Sequence, residues 1–228
     1  MKYTVALDGR LIGAAQYVRR GAYFADIGTD HAYLPVFLLE HGVITRAVAS
    51  DIAEGPLKNA AKTAEEAGVL DALTLRLTPG LAGMESLGLT DIAICGMGGE
   101  MIASILEEAP FVRDPNIRLI LQPMTRGAHL RRWLGQEGFS IEEETITAAH
   151  GKIYTCLCVA YSGKRTSLSP VEAELGAYNI LHRKDAPLFP ALLEEHLTAA
   201  RRQLNGRIAG GLDTSEIQRL IDEMETLL

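Results

Sequence analysis

The chain has 228 residues, of which 47% are apolar and 22% are charged, and its formal net charge is −7. This length gives room for one domain of about 150 residues and a smaller second unit, and the composition excludes disordered and fibrous proteins. The acidic balance argues against a surface coated with phosphate contacts, although nucleic-acid binding depends on local patches of charge.

The N-terminal residues predict a cytoplasmic protein. Asp8 and Arg10 come too early for a secretory signal, and no apolar run reaches the ~18 residues of a membrane span. The cysteines at 95, 156 and 158 lack the CxxC spacing of a zinc site, so we expect buried, reduced thiols. We therefore expect a monomer with no metal and no membrane partner.

The first predicted strand, Tyr23–Ile27, leads into the string ADIGTDHAYLP. Asp26 closes this strand and Gly28 opens the turn after it, where open α/β sheets bind their ligands. The turn has one glycine and two carboxylates instead of the GxGxxG with which dinucleotide folds approach a pyrophosphate. Acids suit a ligand that carries an ammonium, a sulfonium and a ribose, as S-adenosylmethionine does. The alternative is that Asp26 or Asp30 only caps the next helix.

Proline 35 sets the start of that helix. Because proline is tolerated only in the first turn, Pro35 predicts a helix over about 34–42 that starts near Leu34. Asp30 and His31 then project from a loop beside the site.

The second strand, Ala47–Asp51, ends in a further acid. Asp51 follows Gly28 by 23 positions. This is close to the ~20-residue offset at which an acid meets ribose hydroxyls in nucleotide-binding βαβ units. The alternative is that Asp51 caps the helix predicted over 56–68. A third strand is predicted at Leu73–Leu77.

The fourth strand, Asp91–Cys95, is followed by Gly96-Met97-Gly98-Gly99 and a helix over about 99–109. Three glycines in four residues let a ligand approach the backbone closely. Tight packing of strand on helix explains one glycine better than three. Met97 could form an apolar wall against a flat base, or it could simply fill the core.

The fifth strand, Ile117–Gln122, precedes a turn and a helix predicted over 127–138. The amide of Gln122 stands at the strand end, where it could hold a planar nitrogen acceptor. Four side chains line the turn and helix: Arg126, His129, Arg131 and Arg132. They could track phosphates, or they could form a solvated helix face. For Trp133 we favour core packing over base stacking.

The order of these elements predicts an α/β fold. Strands alternate with helices up to about residue 140, which indicates βαβ units and a parallel sheet. Two further strands, near 140–148 and 153–161, have no helical pattern between them and should pair antiparallel at one edge. Five parallel strands with such an edge hairpin describe the Rossmann-like sheet of class I methyltransferases.

The polar segment 162–170 marks a domain boundary, so we predict a first domain over 1–162 and a second over 163–228. Apolar residues recur at helical spacing over 188–204 and again over 217–227. These stretches predict two helices paired as a hairpin or short coiled coil.

Several strings together resemble the bacterial tRNA adenine-N1 methyltransferases that act on tRNA position 22. They are ADIGTDHAYLP, ASDI with EGP after it, CGMGG, LILQP and GKIYTCLCVA, and their order and spacing match over residues 8–162. The resemblance implies an enzyme that uses S-adenosylmethionine to methylate N1 of an adenine in tRNA. It also implies a C-terminal helical, coiled-coil-like domain.

The resemblance further implies roles for single residues. The cofactor would be held by Asp26, Gly28, Thr29, Asp51, Ile52, Gly80, Gly96, Met97, Gly98 and Gly99. The target adenine would be faced by Asp30, His31, Tyr33 and Gln122. Asp30 is the first candidate to stabilise the growing cation or to accept a proton from the exocyclic amine. Pro79 stands where relatives commonly place Asp or Asn, so backbone near Gly80 would have to hold the cofactor's adenine.

Other functions remain open from the residues alone. A methyltransferase of a small molecule or a protein would share every cofactor feature. A non-catalytic binding module could keep the same fold and use the C-terminal hairpin for a partner. A dinucleotide oxidoreductase is disfavoured by the missing GxGxxG.

Overall fold

A computed structural model describes residues 3–228, and within them it shows a seven-stranded sheet. The strands are β1 Tyr23–Ile27, β2 Arg46–Asp51, β3 Leu73–Leu77, β4 Asp91–Gly98, β5 Arg118–Thr125, β6 Phe139–Ala149 and β7 Lys152–Tyr161. Their order in the sheet is β3-β2-β1-β4-β5-β7-β6. The first five run parallel, and β7 pairs antiparallel with both β5 and β6. The predicted parallel sheet with an antiparallel edge hairpin is confirmed.

The helices are α1 Gly9–Ala15, α2 Tyr33–Glu40, α3 Glu54–Glu66, α4 Gly99–Glu107, α5 Gly127–Gln136, α6 Pro170–Leu175, α7 Ala177–Leu181, α8 Phe189–Ala209 and α9 Ser215–Glu225. The sequence prediction lacked α1, α6 and α7. Helix α1 begins where the Asp8 carboxylate accepts a hydrogen bond from the Leu11 amide at 2.9 Å. Helix α6 begins with a capping box of Ser169 and Glu172. Among the described residues, no helix has the length and apolarity to cross a bilayer.

The sheet is covered on both faces, so its strands alternate between two apolar clusters. In β4, Ile92 and Ile94 belong to the cluster that also contains Leu106 of α4, whereas Ala93 belongs to the cluster that contains Leu38 of α2. Burial on both faces explains the continuous apolar runs of the central strands, Ile92–Cys95 in β4 and Leu119–Leu121 in β5. Polar functional side chains are therefore expected at the ends of the strands.

Two local expectations are tested by the packing. Trp133 packs against the first cluster and stacks on Phe139, as predicted. The cysteines form no disulfide, and Cys156 and Cys158 are buried. Cys95 is only half-buried, because it lies toward the carboxyl end of β4, where it lines a cavity.

The C-terminal helices form a third apolar cluster. Leu193 and Leu197 of α8 pack there with Ile217 and Ile221 of α9, so the predicted pairing of two helices is present. Residues 162–169 contain no helix or strand. The hairpin of β6 and β7 also packs against this cluster. The boundary at 162/163 stays a prediction.

Arg131 joins α5 to the edge hairpin and to α6. Its side chain is 3% exposed, and its Nε donates to Glu144 Oε1 at 2.6 Å. Its Nη1 donates to the carbonyl oxygens of Ala173 and Glu174, each at 3.1 Å. The predicted phosphate contact at Arg131 is wrong, because its guanidinium is buried among protein acceptors.

The substitution Arg131→Met should lower the free energy of unfolding by about 3–5 kcal/mol, since it leaves the Glu144 carboxylate buried without a counter-ion. Urea denaturation followed by circular dichroism measures the loss. The matched control is Arg132→Met, an exposed neighbour on the same helix, which should stay within about 0.5 kcal/mol of the parent. Equal stability of the two variants would contradict the assignment.

Candidate functional site

The candidate site lies where the carboxyl ends of β1 and β4 meet. These strands are parallel neighbours, with Ile27 in register with Ile94, so the turns that follow them face each other. A cavity of about 240 Å³ opens between the turns. Its lining comprises Arg10, Leu11, Asp26, Gly28, Thr29, Asp30, His31, Tyr33, Leu34, Cys95 and Gly96. The fold therefore brings together most of the residues predicted from the two glycine strings.

The turn after β1 is held in an uncommon backbone conformation. Gly28, Asp30 and Ala32 have φ values of 69°, 50° and 54°, a left-handed region that side chains other than glycine adopt rarely. The amides of Gly28 and Thr29 donate to the Ser50 carbonyl at 2.9 and 3.0 Å, which ties the turn to β2. Because those amides are occupied, side chains supply much of the polar lining. The Asp30 side chain is 70% exposed.

Asp26 is a buried acid at the base of the cavity, with 5% of its surface exposed. Burial raises the pKa of its carboxyl to about 6, and the negative charge of Asp51 acts in the same direction. The Thr29 hydroxyl opposes this by donating to Asp26 Oδ2 at 2.6 Å. The cavity thus contains a carboxylate that forms no ion pair with any of the described residues, which suits a positively charged ligand.

The segment Gly96–Gly99 differs from the predicted loop. Strand β4 continues through Gly98, and its pairing with β5 shifts register twice between residues 95 and 98. Such bulges insert extra residues into a paired strand, so the glycines are part of β4 and α4 begins at once with Gly99. A Cβ on Gly99 would overlap the carbonyl of Arg126, which explains glycine at that position by close packing.

Met97 connects the two turns. A Cβ on Gly28 would overlap Met97 Cε, so the methionine side chain covers the glycine of the first turn. Met97 is half-buried and also packs against the apolar cluster of the α4 face. The packing agrees with the core-filling alternative for Met97, and the predicted contact with a flat base stays a prediction.

Gln122 supports the bulged end of β4 from the neighbouring strand. Its side chain is fully buried, and its Oε1 accepts a hydrogen bond from the Gly96 amide at 3.0 Å. Its Nε2 donates to the Pro123 carbonyl at 3.2 Å. The structure thus places Gln122 where it positions the glycine turn, and direct contact with a substrate stays a prediction.

Arg10 is a residue of the site that the sequence reasoning missed. Its Nη1 would lie 3.0 Å from a Cβ on Gly96, and it is 4.0 Å from Met124 Sδ. Among the described residues that line the cavity, Arg10 is the one Arg or Lys. The available clue was Asp8, because a helix cap there puts Arg10 in the first turn of a helix.

His31 and Tyr33 form a flat aromatic pair beside the acids. Their ring centroids are 5.1 Å apart and their planes differ by 6°. Tyr33 is 44% exposed, and His31 Nε2 lies 3.7 Å from Asp30 Oδ1. A planar surface next to an exposed carboxylate suits an aromatic ring that carries or gains positive charge.

The tips of β2 and β3 continue the site beyond the cavity. Asp51 is in register with Leu77, and Ile52 follows Asp51. Ile52 and Leu77 are 77% and 56% exposed, which is unusual for large apolar side chains at neighbouring strand tips. Gly80 lies beyond β3 with a φ of 50°, and a Cβ there would be 3.1 Å from Ile105 Cγ2. An acid beside exposed apolar groups suits a ribose linked to a flat ring.

A larger cavity, of about 550 Å³, separates the tip of β5 and helix α5 from helix α8. Arg126, His129 and Arg132 line it and are exposed. Arg126 Nε lies 3.7 Å from Glu100 Oε1. On the opposite wall, His196 lowers the pKa of the Glu174 carboxyl, mainly by a hydrogen bond. The exposed side chains of Arg126, His129 and Arg132 form what we call the cationic rim. Three acids, Glu100, Glu174 and Glu195, line the same cavity.

Comparisons with known proteins give a consistent picture. Residues 7–157 match a family model described as a methyltransferase domain. The tRNA (adenine(22)-N(1))-methyltransferase of Bacillus subtilis is 32% identical over 227 residues, covering 97% of this chain and 95% of that protein. A Streptococcus pneumoniae protein solved in complex with S-adenosyl-L-methionine is 34% identical, with a TM-score of 0.85 and coverage of 98% and 100%. TrmK of M. capricolum, solved with S-adenosyl-homocysteine, is 25% identical, with a TM-score of 0.77 and coverage of 96% of each chain.

The substitution Asp26→Asn should stabilise the fold near neutral pH. The pKa of the folded carboxyl, about 6, exceeds the ordinary 3.8. The stability that protonated Asp26 provides is thus present below about pH 4 and lost as the pH rises through about 6. The asparagine keeps an acceptor for Thr29 but never ionises. We expect it to raise the free energy of unfolding by about 1–3 kcal/mol at pH 7.5.

Urea denaturation at several pH values between about 4.5 and 7.5 measures this difference between parent and variant. It should shrink as the pH falls, because the parent carboxyl becomes protonated. Asp71→Asn serves as a control at an exposed acid away from the cavity and should show no such pH-dependent difference. A difference that stays constant with pH, or that grows on acidification, would contradict the assigned ionisation of Asp26.

Proposed function

The chain belongs to the family of tRNA (adenine(22)-N(1))-methyltransferases, and we propose on that basis that it transfers a methyl group from S-adenosylmethionine to N1 of adenine 22 in tRNA. The observation that carries the proposal is the cavity at the tips of β1 and β4. There, acids, one arginine and a flat aromatic pair meet in a chain that matches such an enzyme over nearly its whole length.

The residues at the strand tips fit S-adenosylmethionine group by group. Asp26 provides negative charge for the ammonium and sulfonium, and Arg10 provides positive charge for the carboxylate. Asp51 suits the ribose hydroxyls. Ile52 and Leu77 supply exposed apolar surface for the adenine, which answers the lack of an Asp or Asn at position 79. The glycines at 28, 80, 96, 98 and 99, with Thr29 and Met97, shape the surrounding backbone.

Bound S-adenosylmethionine supplies an electrophilic methyl group, and its transfer to N1 leaves a positive charge on the base. The chain therefore needs to position the acceptor and balance charge, and positioning can contribute on the order of 7 kcal/mol or more. Asp30 is the residue we assign to the cationic base, either by charge or by accepting a proton from the exocyclic amine. His31 and Tyr33 offer a planar surface to that base, and Gln122 holds the Gly96 turn against it.

The tRNA is held outside the catalytic cavity. A stacked adenine has to leave its helix to reach the strand tips. We assign Arg126, His129 and Arg132 to the phosphates beside it, and helices α8 and α9 to the more distant backbone. On this proposal the protein is a monomer that acts on tRNA in the cytoplasm, with neither a metal nor a membrane as partner.

Incubation with labelled methyl donor and unmodified tRNA, followed by nucleoside analysis, tests the activity. We expect label in 1-methyladenosine. Asp30→Ala should slow single-turnover methylation by about 100-fold or more, while the Kd for S-adenosylmethionine, measured by calorimetry, changes little. Arg10→Gln should do the opposite to binding and raise that Kd by about tenfold or more, since a charged hydrogen bond is lost.

Three results would count against these assignments. Label in a protein or a small molecule, and none in tRNA, would overturn the proposed activity. An Asp30→Ala variant with the parent's single-turnover rate would remove Asp30 from the chemistry. An Arg10→Gln variant with unchanged cofactor affinity would remove Arg10 from the cofactor site.

The cationic rim should make tRNA binding sensitive to salt. Arg132→Ala is expected to weaken tRNA binding and to reduce the slope of log K against log salt by about 1, because one phosphate contact is lost. Filter binding at increasing potassium chloride measures the slope. The control is Arg20→Ala, an exposed arginine that precedes the amino end of β1, at the opposite end of the strands. Equal slopes for the two variants would exclude a phosphate contact at Arg132.

A further inference from the structure

A second cavity, of about 410 Å³, adjoins the catalytic one. Its lining comprises Thr4, Val5, Ala6, His31, Tyr33, Asn59, Lys62, Thr63 and Glu66. His31 and Tyr33 line both cavities, so the stacked aromatic pair is a shared wall. Apart from this pair, no residue assigned to the cofactor or the target adenine lines the second cavity.

The other walls of this cavity come from fixed parts of the chain. Asn59, Lys62 and Thr63 lie on helix α3. The segment opposite them is anchored to α2, because the amides of Thr4 and Val5 donate to the Glu40 carboxylate at 2.8 and 3.2 Å. The cavity is thus bounded by two helices and a tethered segment.

The chemistry of the lining matches one unpaired nucleotide. A flat aromatic face stacks on any base, and an amide such as Asn59 can pair with a base edge. The ammonium of Lys62 suits a phosphate, and the Thr63 hydroxyl suits a phosphate or a ribose. The volume lies in the range of small-ligand pockets. Glu66 Oε1, 3.8 Å from Lys62 Nζ, offsets part of the lysine charge, so the phosphate contact should be of moderate strength.

We propose that this cavity binds the nucleotide next to the target adenine in the RNA chain. Its base lies against the His31–Tyr33 wall, Asn59 contacts the base edge and Lys62 contacts the phosphate. Consecutive nucleotides are joined by a single phosphodiester, and the two cavities are separated by a single pair of side chains. The inference rests on the proposed function, because it requires an RNA chain whose target base enters the catalytic cavity.

Helix α3 offers a matched pair of lysines for the test. Lys62 and Lys58 are 76% and 77% exposed, and each forms an i,i+4 ion pair, with Glu66 and Glu54 respectively. Of these two lysines, Lys62 lines the cavity and Lys58 does not. We expect Lys62→Ala and Asn59→Ala each to raise the KM for tRNA by about 3- to 10-fold. The kcat and the Kd for S-adenosylmethionine should stay unchanged, and Lys58→Ala should behave as the parent.

Abasic RNA identifies the occupant. Two tRNA substrates are made, lacking the base either on the 5′ side or on the 3′ side of the target adenine. One of them should lose about 5- to 100-fold in kcat/KM with the parent enzyme, the range expected for a lost stacking contact. With Asn59→Ala the same substrate should lose less, because the two changes remove a shared contact.

The outcomes separate this inference from the proposed function. Suppose that the parent methylates tRNA, that Lys62→Ala and Lys58→Ala have the same KM for tRNA, and that Asn59→Ala does not change the loss of kcat/KM for either abasic substrate. The cavity is then a solvated helix face and the inference is overturned. If the parent methylates no tRNA, the proposed function falls and the inference with it. Coupling of Asn59 to one abasic position, together with a difference between the two lysine variants, supports it.

Discussion

The parallel pairing of β1 with β4 is the constraint on which the site depends. The turns after these strands belong to segments about 70 residues apart in the chain, yet register between Ile27 and Ile94 sets them face to face. Met97 then reaches across to cover Gly28, and the Gln122 amide fixes Gly96 from the next strand. Because both sheet faces are buried in apolar clusters, polar groups concentrate at the carboxyl ends of the strands.

The residues at these strand ends lower the stability of the fold. Asp26 is buried and has no cationic partner in the part of the chain that the structure describes, and two residues other than glycine in the adjoining turn have positive φ. Such features cost free energy of folding, and a cationic ligand that contacts the carboxylate would offset part of that cost. The Arg131–Glu144 pair shows the contrasting case. It is equally buried, but each charge meets an opposite charge, and its contribution is to join elements rather than to bind.

Much of this architecture follows from the sequence, because the spacing of apolar residues and the positions of glycine and proline are local properties of the chain. β1 and β3 have the predicted bounds, and Pro35 placed the start of α2 within a residue. Arg131 was misassigned because the prediction followed its charge and ignored its place on the helix. Arg131 lies with Leu130 and Leu134 on the buried face of α5. Its partner Glu144 lies on another element, so no local pattern reveals the pair. The same limit hid Leu77, whose exposure depends on where neighbouring strands end.

The role of the N-terminal segment, residues 4–10, could not be predicted from the sequence because it depends on tertiary contacts. Thr4 to Ala6 line the second cavity, and Arg10 lines the first, so a stretch of seven residues borders both. Its anchors are Glu40, on the helix that also carries Tyr33, and Asp8, which caps α1. A displacement of this stretch therefore changes both cavities at once. The binding proposed for the two cavities would then be coupled through a shared wall and a shared segment, and thermodynamic linkage makes any such coupling reciprocal.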